Sequence, residues 1–194
     1  MFLRERENDM TIYIALLKGI NVGGHNKIIM AQLKNSLNQL ALQNIRTYIQ
    51  SGNIIFESNE CEEDLQKKIQ DKINEDFGIF TTVVIRTAEE LRQIVRQCPF
   101  SEQKIIEASN SCKGECLHVA FLPASPAMAD SEKYLSFTNT KELAVIQGRD
   151  VYLLFYDSIR NSKTGSKLDI LGIPATVRNW KTLSKLIKMV EEFY

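Results

Sequence analysis

The chain has 194 residues, enough for one large domain or two small lobes with cores of their own. Hydrophobic residues make up 44% of it and charged residues 25%, which is typical of a globular protein in water. Its 24 basic and 24 acidic residues cancel, whereas proteins that coat nucleic acid or anionic membranes are usually basic. The composition therefore argues against both of those partners.

No apolar run approaches the roughly 18 residues that a membrane span needs, and the four cysteines lack a disulfide-framework spacing. We therefore expect a cytoplasmic protein with reduced thiols and no membrane association. Residues 1–9 are charged and lack the apolar centre of a signal peptide. Because Met10 lies directly before the first apolar run, we interpret these residues as a disordered or non-native leader.

The first half of the chain alternates strand and helix patterns. The predicted elements are, in chain order, a strand over residues 12–17, a helix over 30–41, strands over 45–50 and 53–58, a helix over 62–77, a strand over 81–86 and a helix over 88–97. Gly78 is expected to end the second helix. The first six elements follow the order of the ferredoxin-like βαββαβ fold, an antiparallel sheet with two helices on one face.

The second half begins with residues 99–116, which lack periodicity and are predicted to be a connector with a helical turn near residues 101–108. After it we predict strands over 117–122, 143–147 and 151–156, helices over 127–135 and 178–193, and a polar connection over 157–172. The hairpins Y-I-Q-S-G-N-I-I-F and V-I-Q-G-R-D-V-Y-L resemble each other. The predicted fold is therefore α+β, with a ferredoxin-like lobe over 10–98 and a related, partly duplicated βαββα lobe over 117–194.

Three blocks of sequence point to a family. The blocks L-L-K-G-I-N-V-G-G-x-N-K-I-x-M, R-T-Y-I-Q-S-G-N-I-I-F and A-T-V-R-N-W-K-T-L-x-K-L closely resemble the bacterial domain of unknown function 1697. That resemblance implies ferredoxin-like α+β lobes from Met10 to the end of the chain and implies no particular activity. The family usually carries Arg at the position of Lys18, and Lys lacks the guanidinium's fork of donors.

The loop from Lys18 to Lys27 is the first candidate site. Glycines allow backbone N–H groups to approach an anion, and the two lysines add positive charge. The candidate ligand-binding residues here are Lys18, Asn21, Gly23, Gly24 and Lys27. The structural alternative is a crossover that needs positive φ at Gly23 and Gly24. Neither the Walker A motif nor the G-x-G-x-x-G motif of nucleotide-binding proteins is present in the sequence.

Two further segments are candidates. Gln50, Ser51 and Asn53 flank the tip of the first hairpin and either donate to a ligand or serve as turn residues. Arg178, Asn179 and Trp180 open the last predicted helix, with Thr176 or Asn179 as its N-cap. A helix N-terminus attracts anions, Arg178 adds a planar cation, and Trp180 either stacks on a ligand or packs in the core.

No combination of residues predicts a reaction. Cys112, Cys116 and His118 lack a fourth zinc ligand and the usual C-x-x-C spacing, so we predict no metal site and no cofactor. His25 is the better candidate for a general base, and His118, within an apolar strand, is interpreted as structural. Whether the protein is an enzyme stays open at this point.

The sequence therefore leads to one main hypothesis and two alternatives. We predict binding of a small phosphorylated or carboxylated ligand between the glycine-rich loop and the start of the last helix. A nucleic-acid binding module is one alternative, with Tyr13 and Phe56 as stacking residues. A protein-interaction scaffold without catalysis is the other. The sequence makes no prediction of oligomeric state.

Overall fold

The structure is a computed structural model, and it describes residues 10–194. It divides into two compact units, the first ending at Glu89 and the second running from Glu90 to Tyr194. Each unit contains one four-stranded antiparallel sheet. The prediction of a leader over residues 1–9 lies outside the described residues.

The first unit has the predicted ferredoxin-like topology. Its elements are β1 (Thr11–Leu17), α1 (Met30–Leu37), β2 (Gln43–Tyr48), β3 (Asn53–Ser58), α2 (Glu62–Phe77) and β4 (Val83–Thr87). The strands are ordered β2-β3-β1-β4. Helix α2 carries three acidic residues in its first turn, where they favour the positive end of the helix dipole, and it ends at Gly78 with φ of 63°. The predicted end of this helix is confirmed.

The core of the first unit lies between the sheet and its two helices. Alternation along β1 directs Tyr13, Ala15 and Leu17 toward them. The helices contribute Leu33 and Leu37 from α1 and Leu65, Ile69 and Ile73 from α2. Burying each such side chain contributes roughly 1.5–3 kcal/mol to folding. The opposite face of the sheet is buried as well, since Ile14 and Leu16 have no exposed surface.

The second unit repeats this strand order. Its elements are α3 (Ala88–Arg96, which begins at the boundary), α4 (Glu102–Ser111), β5 (Leu117–Phe121), α5 (Met128–Leu135), β6 (Glu142–Gln147), β7 (Asp150–Phe155), α6 (Lys163–Ser166), β8 (Thr176–Asn179) and α7 (Trp180–Glu191). Short 3-10 helices lie at Ile159–Asn161 and Leu168–Leu171. The sheet order β6-β7-β5-β8 corresponds strand for strand to that of the first unit. The prediction of two related α+β lobes is confirmed.

Both faces of the second sheet are covered. Val151 and Leu153 of β7 pack in a core that also contains Tyr134 of α5. Tyr152 points to the other face, where its hydroxyl donates to the carbonyl of Ile94 in α3 at 2.9 Å. Helix α3 therefore lies against the face opposite α5. Among residues 10–194, no helix has the length and apolar character needed to cross a membrane.

The prediction for the end of the second unit was wrong at one place. The last helix begins at Trp180 rather than near Arg178, because residues 176–179 form strand β8, paired with β5. Four residues that include an arginine carry too short a pattern to indicate a strand, and only the pairing with β5 orders them. The helical turn predicted near residues 101–108 is present and extends to form helix α4, which is capped by the Ser101 hydroxyl as it accepts from the backbone N–H of Lys104.

Candidate functional site

The glycine-rich loop after β1 has an unusual backbone. Gly23 and Gly24 have φ of 58° and 83°, as the structural alternative predicted. Asn21 and Asn26 are also left-handed, with φ of 54° and 48°. Glycine adopts this conformation without strain, and asparagine tolerates it better than other side chains do. Each of these four left-handed positions is therefore occupied by a residue type that tolerates the conformation.

Asn21 fastens this loop to two other segments. Its side-chain NH2 donates to the carbonyls of Ile28 at 2.9 Å and Gln50 at 2.8 Å, and its side-chain oxygen accepts from the N–H of Ile28 at 2.8 Å. Ile28 lies two residues before the start of α1, and Gln50 belongs to the turn of the β2–β3 hairpin. The amide of Asn21 is thus a structural clamp between these segments, and its predicted role in ligand binding stays a prediction.

The tip of the β2–β3 hairpin, which Asn21 contacts at Gln50, is fixed by hydrogen bonds of its own. Asn53 is fully buried and donates to the carbonyl of Tyr48 and to the hydroxyl of Ser51, at 3.1 and 2.9 Å. These bonds give Asn53 and Ser51 the role of turn residues. Ile49 has φ of 49°, which is strained for a β-branched residue, and yet its side chain is 48% exposed.

The loop and the hairpin tip enclose a groove of about 750 Å³, which we call the loop groove. It is lined by Asn21, Gly24, Lys27, Ile28, Ile29, Gln32 and Gln50. Four of the predicted site residues therefore meet in it, from two segments of the chain. Among the described lining residues, Lys27 carries the charge, and Ile28 and Ile29 supply apolar surface. The volume lies within the range of small-ligand sites.

The other predicted residues of this unit lie outside that lining. Lys18 continues from β1, and its backbone N–H donates to the carbonyl of Thr82 while its carbonyl accepts from the Thr81 hydroxyl, at 2.9 and 2.7 Å. Gly23 lies in the exposed part of the loop. Ser51 and Asn53 are hydrogen-bonded to each other within the hairpin.

In the second unit, Arg178 is a strand residue and not the first residue of a helix. It is 8% exposed, and its Nη1 donates to the Thr176 hydroxyl and to the carbonyl of Val177, both at 2.9 Å. Burial lowers the pKa of its guanidinium to about 10. The prediction that Arg178 sits at the helix N-terminus was wrong, because β8 occupies that segment.

Asn179 and Trp180 do form the beginning of α7. The side-chain oxygen of Asn179 accepts from the N–H of Thr182 at 2.8 Å, which confirms it as the N-cap. Trp180 is the first helical residue and is half-buried. The predicted pocket that would join this segment to the glycine-rich loop stays a prediction.

Three cysteines of the second unit lack the lowered pKa of a reactive thiol. Cys98, Cys112 and Cys116 are free, and burial raises the pKa of each thiol, which disfavours the reactive thiolate. His25 is exposed in the loop. Within residues 10–194, no group of three or more His, Cys, Asp and Glu side chains is arranged to hold a metal ion.

His118, interpreted from the sequence as structural, has one feature that the sequence did not indicate. It is 7% exposed, and its Nδ1 has no hydrogen-bond partner. Its cross-strand neighbour is Asn179, and both residues line a second groove. The signal in the sequence was a histidine within the apolar strand L-H-V-A-F, which by itself also fits a satisfied core histidine.

Comparison with known proteins identifies the family. The family model of a protein of unknown function, DUF1697, matches residues 10–152, and the chain belongs to this family. The resemblance inferred from the sequence blocks is confirmed. No curated protein sequence matches this one.

A solved structure is similar over nearly the whole chain. It is that of a conserved bacterial protein from Streptococcus pneumoniae, with 22% sequence identity and a TM-score of 0.73. The similarity covers 94% of this chain and 99% of the other. At this identity the likeness concerns the fold, and it agrees with the two ferredoxin-like lobes described above.

Proposed function

We propose that this member of the DUF1697 family binds a small ligand with a phosphate or carboxylate group in the loop groove. The observation that carries the proposal is the clamp at Asn21, which joins the glycine-rich loop to the hairpin tip and so builds one groove from both. A loop that served only to connect β1 to α1 would not need this bond to a second segment.

The groove is preorganised for a ligand. Several left-handed residues and the clamp hold its walls, so binding would order few additional groups. The strain at Ile49 lies at the same hairpin tip, and strained residues persist where the surrounding structure requires them. Both features support a binding site whose shape is fixed before a ligand binds.

The lining indicates what kind of ligand would fit. Lys27 is exposed on a wall that carries no carboxylate among its described residues, which favours an anionic group. Ile28 and Ile29 favour an apolar body, and Gln32 and Gln50 offer neutral hydrogen bonds. None of these side chains is a usual nucleophile or proton-transfer group at neutral pH apart from the lysine, so binding is better supported than catalysis.

The nucleic-acid alternative has less support. Tyr13 and Phe56 stack on each other with ring centroids 5.9 Å apart, in the core between the sheet and its helices. The two rings are 8% and 0% exposed, so they do not form an open platform for bases. No specific observation favours the scaffold alternative over ligand binding.

The proposal is tested with small aromatic anions, which combine an apolar body with one charge. We expect phenyl phosphate or benzoate to raise the melting temperature, because a ligand that binds only the folded state stabilises it. Lys27→Ala should weaken that binding about tenfold, the usual effect of losing one charge-assisted hydrogen bond. Isothermal titration calorimetry measures both affinities.

Lys67→Ala is the matched control, since Lys67 is an exposed lysine of α2 in the same unit. It should leave the affinity unchanged. A second variant, Gln32→Trp, should block the groove without removing charge. Equal affinity in the parent, Lys27→Ala and Gln32→Trp proteins would contradict the proposal, as would the absence of any anion that stabilises the parent.

A further inference from the structure

Each of the two sheets has two edge strands, and three of these edges carry features that oppose pairing with another chain. Strand β2 has a register shift between Gln43 and Arg46 and a left-handed residue, Asn44, with φ of 51°. Strands β4 and β8 have five and four residues, and each contains a buried arginine, Arg86 and Arg178. Bulges, short edge strands and inward-pointing charges are devices by which natural proteins prevent association through a sheet edge.

Strand β6, the remaining edge, lacks a bulge and a buried charge. Its register with β7 is regular from Glu142 to Gln147, and residues 143–146 are the uncharged apolar run L-A-V-I. All six residues of the strand are partly exposed. Within residues 10–194, β6 pairs with β7 alone. A regular, apolar and partly exposed edge is a template for pairing with a further strand.

The backbone groups of two residues point to this outer edge. Alternate residues of an antiparallel strand direct their N–H and C=O groups to the same neighbour. The N–H of Tyr156 donates to the carbonyl of Lys141 at 2.9 Å, so the odd-numbered residues of β6 face β7. The backbone groups of Glu142 are bonded within the preceding turn. The outer edge of β6 is therefore formed by the N–H and C=O groups of Ala144 and Ile146.

We propose that two copies of this chain associate through β6, as antiparallel strands related by a two-fold axis at Val145. In this register Ala144 of each copy lies opposite Ile146 of the other, so all the outward N–H and C=O groups of both strands are used, in four hydrogen bonds. Sliding one strand by two residues in either direction would leave Ala144 or Ile146 opposite a residue that is already bonded or lies in a turn.

A second copy fits this edge because the strand is complementary to itself. In the proposed register Leu143 lies opposite Gln147, and Val145 lies opposite Val145 of the second copy. None of these pairs contains a charge, and opposed β-branched side chains stabilise a sheet. The same surface patch serves both copies, as in most closed dimers. This association belongs to the second unit and is independent of the loop groove.

A disulfide across the axis tests both the pairing and its register. The two copies of Val145 would form a non-hydrogen-bonded pair with Cα atoms about 4.5 Å apart, which a disulfide can span. In a Cys61→Ser background, which removes the exposed native thiol, oxidised glutathione should convert Val145→Cys into a covalent dimer. Thr47→Cys, at a partly exposed position of the β2 edge, is the matched control and should cross-link at least about tenfold more slowly.

Sedimentation equilibrium measures the association without a cross-link. A contact through one strand of six residues buries less than about 1,200 Å², as in weak complexes, so we expect monomers and dimers to coexist at about 0.01–1 mM. Val145→Lys places two ammonium groups opposite each other at the axis and should raise the dimer Kd at least about tenfold. Thr47→Lys should leave that Kd unchanged. Circular dichroism verifies that both variants are folded.

The proposal would be overturned by a parent protein that stays monomeric at about 1 mM. A dimer that Val145→Lys does not weaken would place the contact elsewhere on the chain and would also overturn it. The same holds if Val145→Cys cross-links no faster than Thr47→Cys, a comparison that stands even if the lysine variant fails to fold. Each of these measurements reads out association, so their failure leaves the proposed ligand binding in the loop groove untouched.

Discussion

The first unit connects its first strand to its first helix through residues 18–29, whereas the second unit makes the equivalent connection through residues 122–127. The longer connection folds into the left-handed loop and forms the loop groove after the end of β1. In the second unit the groove lined by His118 and Asn179 lies at the other end of the corresponding strand, near the start of β5. Two lobes with one strand order therefore carry grooves in different places, because the connections between elements line both grooves.

The last strands of the two sheets carry an arginine at the same position. Arg86 pairs with Ile14 of β1, and Arg178 pairs with Val119 of β5, so the two arginines hold equivalent positions on the last strand of each sheet. Both are buried, and each donates to the carbonyl of the residue before it. This common arrangement supports the proposal that the lobes arose by duplication. It also indicates that Arg178 has a structural role in common with Arg86.

The hairpin glycines give the largest expected difference between the lobes. A Cβ on Gly52 would lie 2.6 Å from Cδ1 of Ile20 and 2.7 Å from Cβ of Leu17, and φ is already 71°. Gly52→Ala should therefore destabilise the protein by about 4 kcal/mol, from overpacking and backbone strain together. Gly148, the glycine of the second unit's hairpin turn, has φ of 58° and open space around it, so Gly148→Ala should cost about 1 kcal/mol. Urea denaturation measures both, and equal losses would contradict the assigned packing.

The histidines give the next largest difference, and it depends on pH. The pKa of His118 is about 4 in the folded protein and 6.5 when unfolded, so the unfolded chain binds the proton more tightly. The stability from its neutral form is complete above pH 6.5 and is lost as the pH falls toward 4. The loss amounts to roughly 3 kcal/mol. His118→Gln should lack this component of the pH dependence in urea titrations.

His25→Gln is the control for that measurement, because His25 is exposed in the first unit. Its pH dependence of stability should match that of the parent. A parent and His118→Gln protein with parallel stability curves from pH 7 to pH 4.5 would show that His118 is not held neutral by its surroundings.

The smallest expected difference concerns Asn21 and Glu142, each of which holds a connecting segment in place by hydrogen bonds. Asn21 holds the loop of the first unit with a neutral amide, whereas Glu142 holds residues 162–164 of the second with a carboxylate. Glu142 accepts from the hydroxyl of Ser162 at 2.7 Å and from the N–H of Thr164 at 2.9 Å. Burial by itself would raise the pKa of Glu142, but the hydrogen bonds from Thr164 and Ser162 outweigh it and lower the pKa.

Asn21→Ala and Glu142→Ala should each cost about 2 kcal/mol at neutral pH, from the loss of two or three hydrogen bonds. The effect of Glu142→Ala should shrink as the pH falls through the lowered folded pKa, since the carboxylate contributes only when ionised. The effect of Asn21→Ala should not change with pH. Denaturation at neutral and acidic pH distinguishes them, and a constant cost for Glu142→Ala would rule out the carboxylate as the cause.

Local patterns predicted most of the secondary structure but less of the candidate sites. Strand β3 and helix α2 have the predicted bounds, because residues 53–58 contain a β-rich apolar run and residues 62–77 a helical stripe followed by a glycine. The loop groove was predicted in part, since Gly24, Lys27 and Gln50 line it. The clamp was not, because it joins residues 29 positions apart. His118 is buried, in line with its interpretation as a structural residue, but the absence of a partner for its Nδ1 could not be predicted from a histidine in a strand.

The sequence by itself determined the order of strands and helices in the first unit and the left-handed glycines, since hydrophobic period and backbone sterics act between neighbouring residues. Only the tertiary structure decided which polar side chains serve the fold and which face a groove. Asn21, Asn53 and Arg178 find their partners inside the fold, whereas Lys27 lines a groove from an exposed position. The physical reason is that a side chain's hydrogen-bond partners and burial are set by packing between segments distant in the chain.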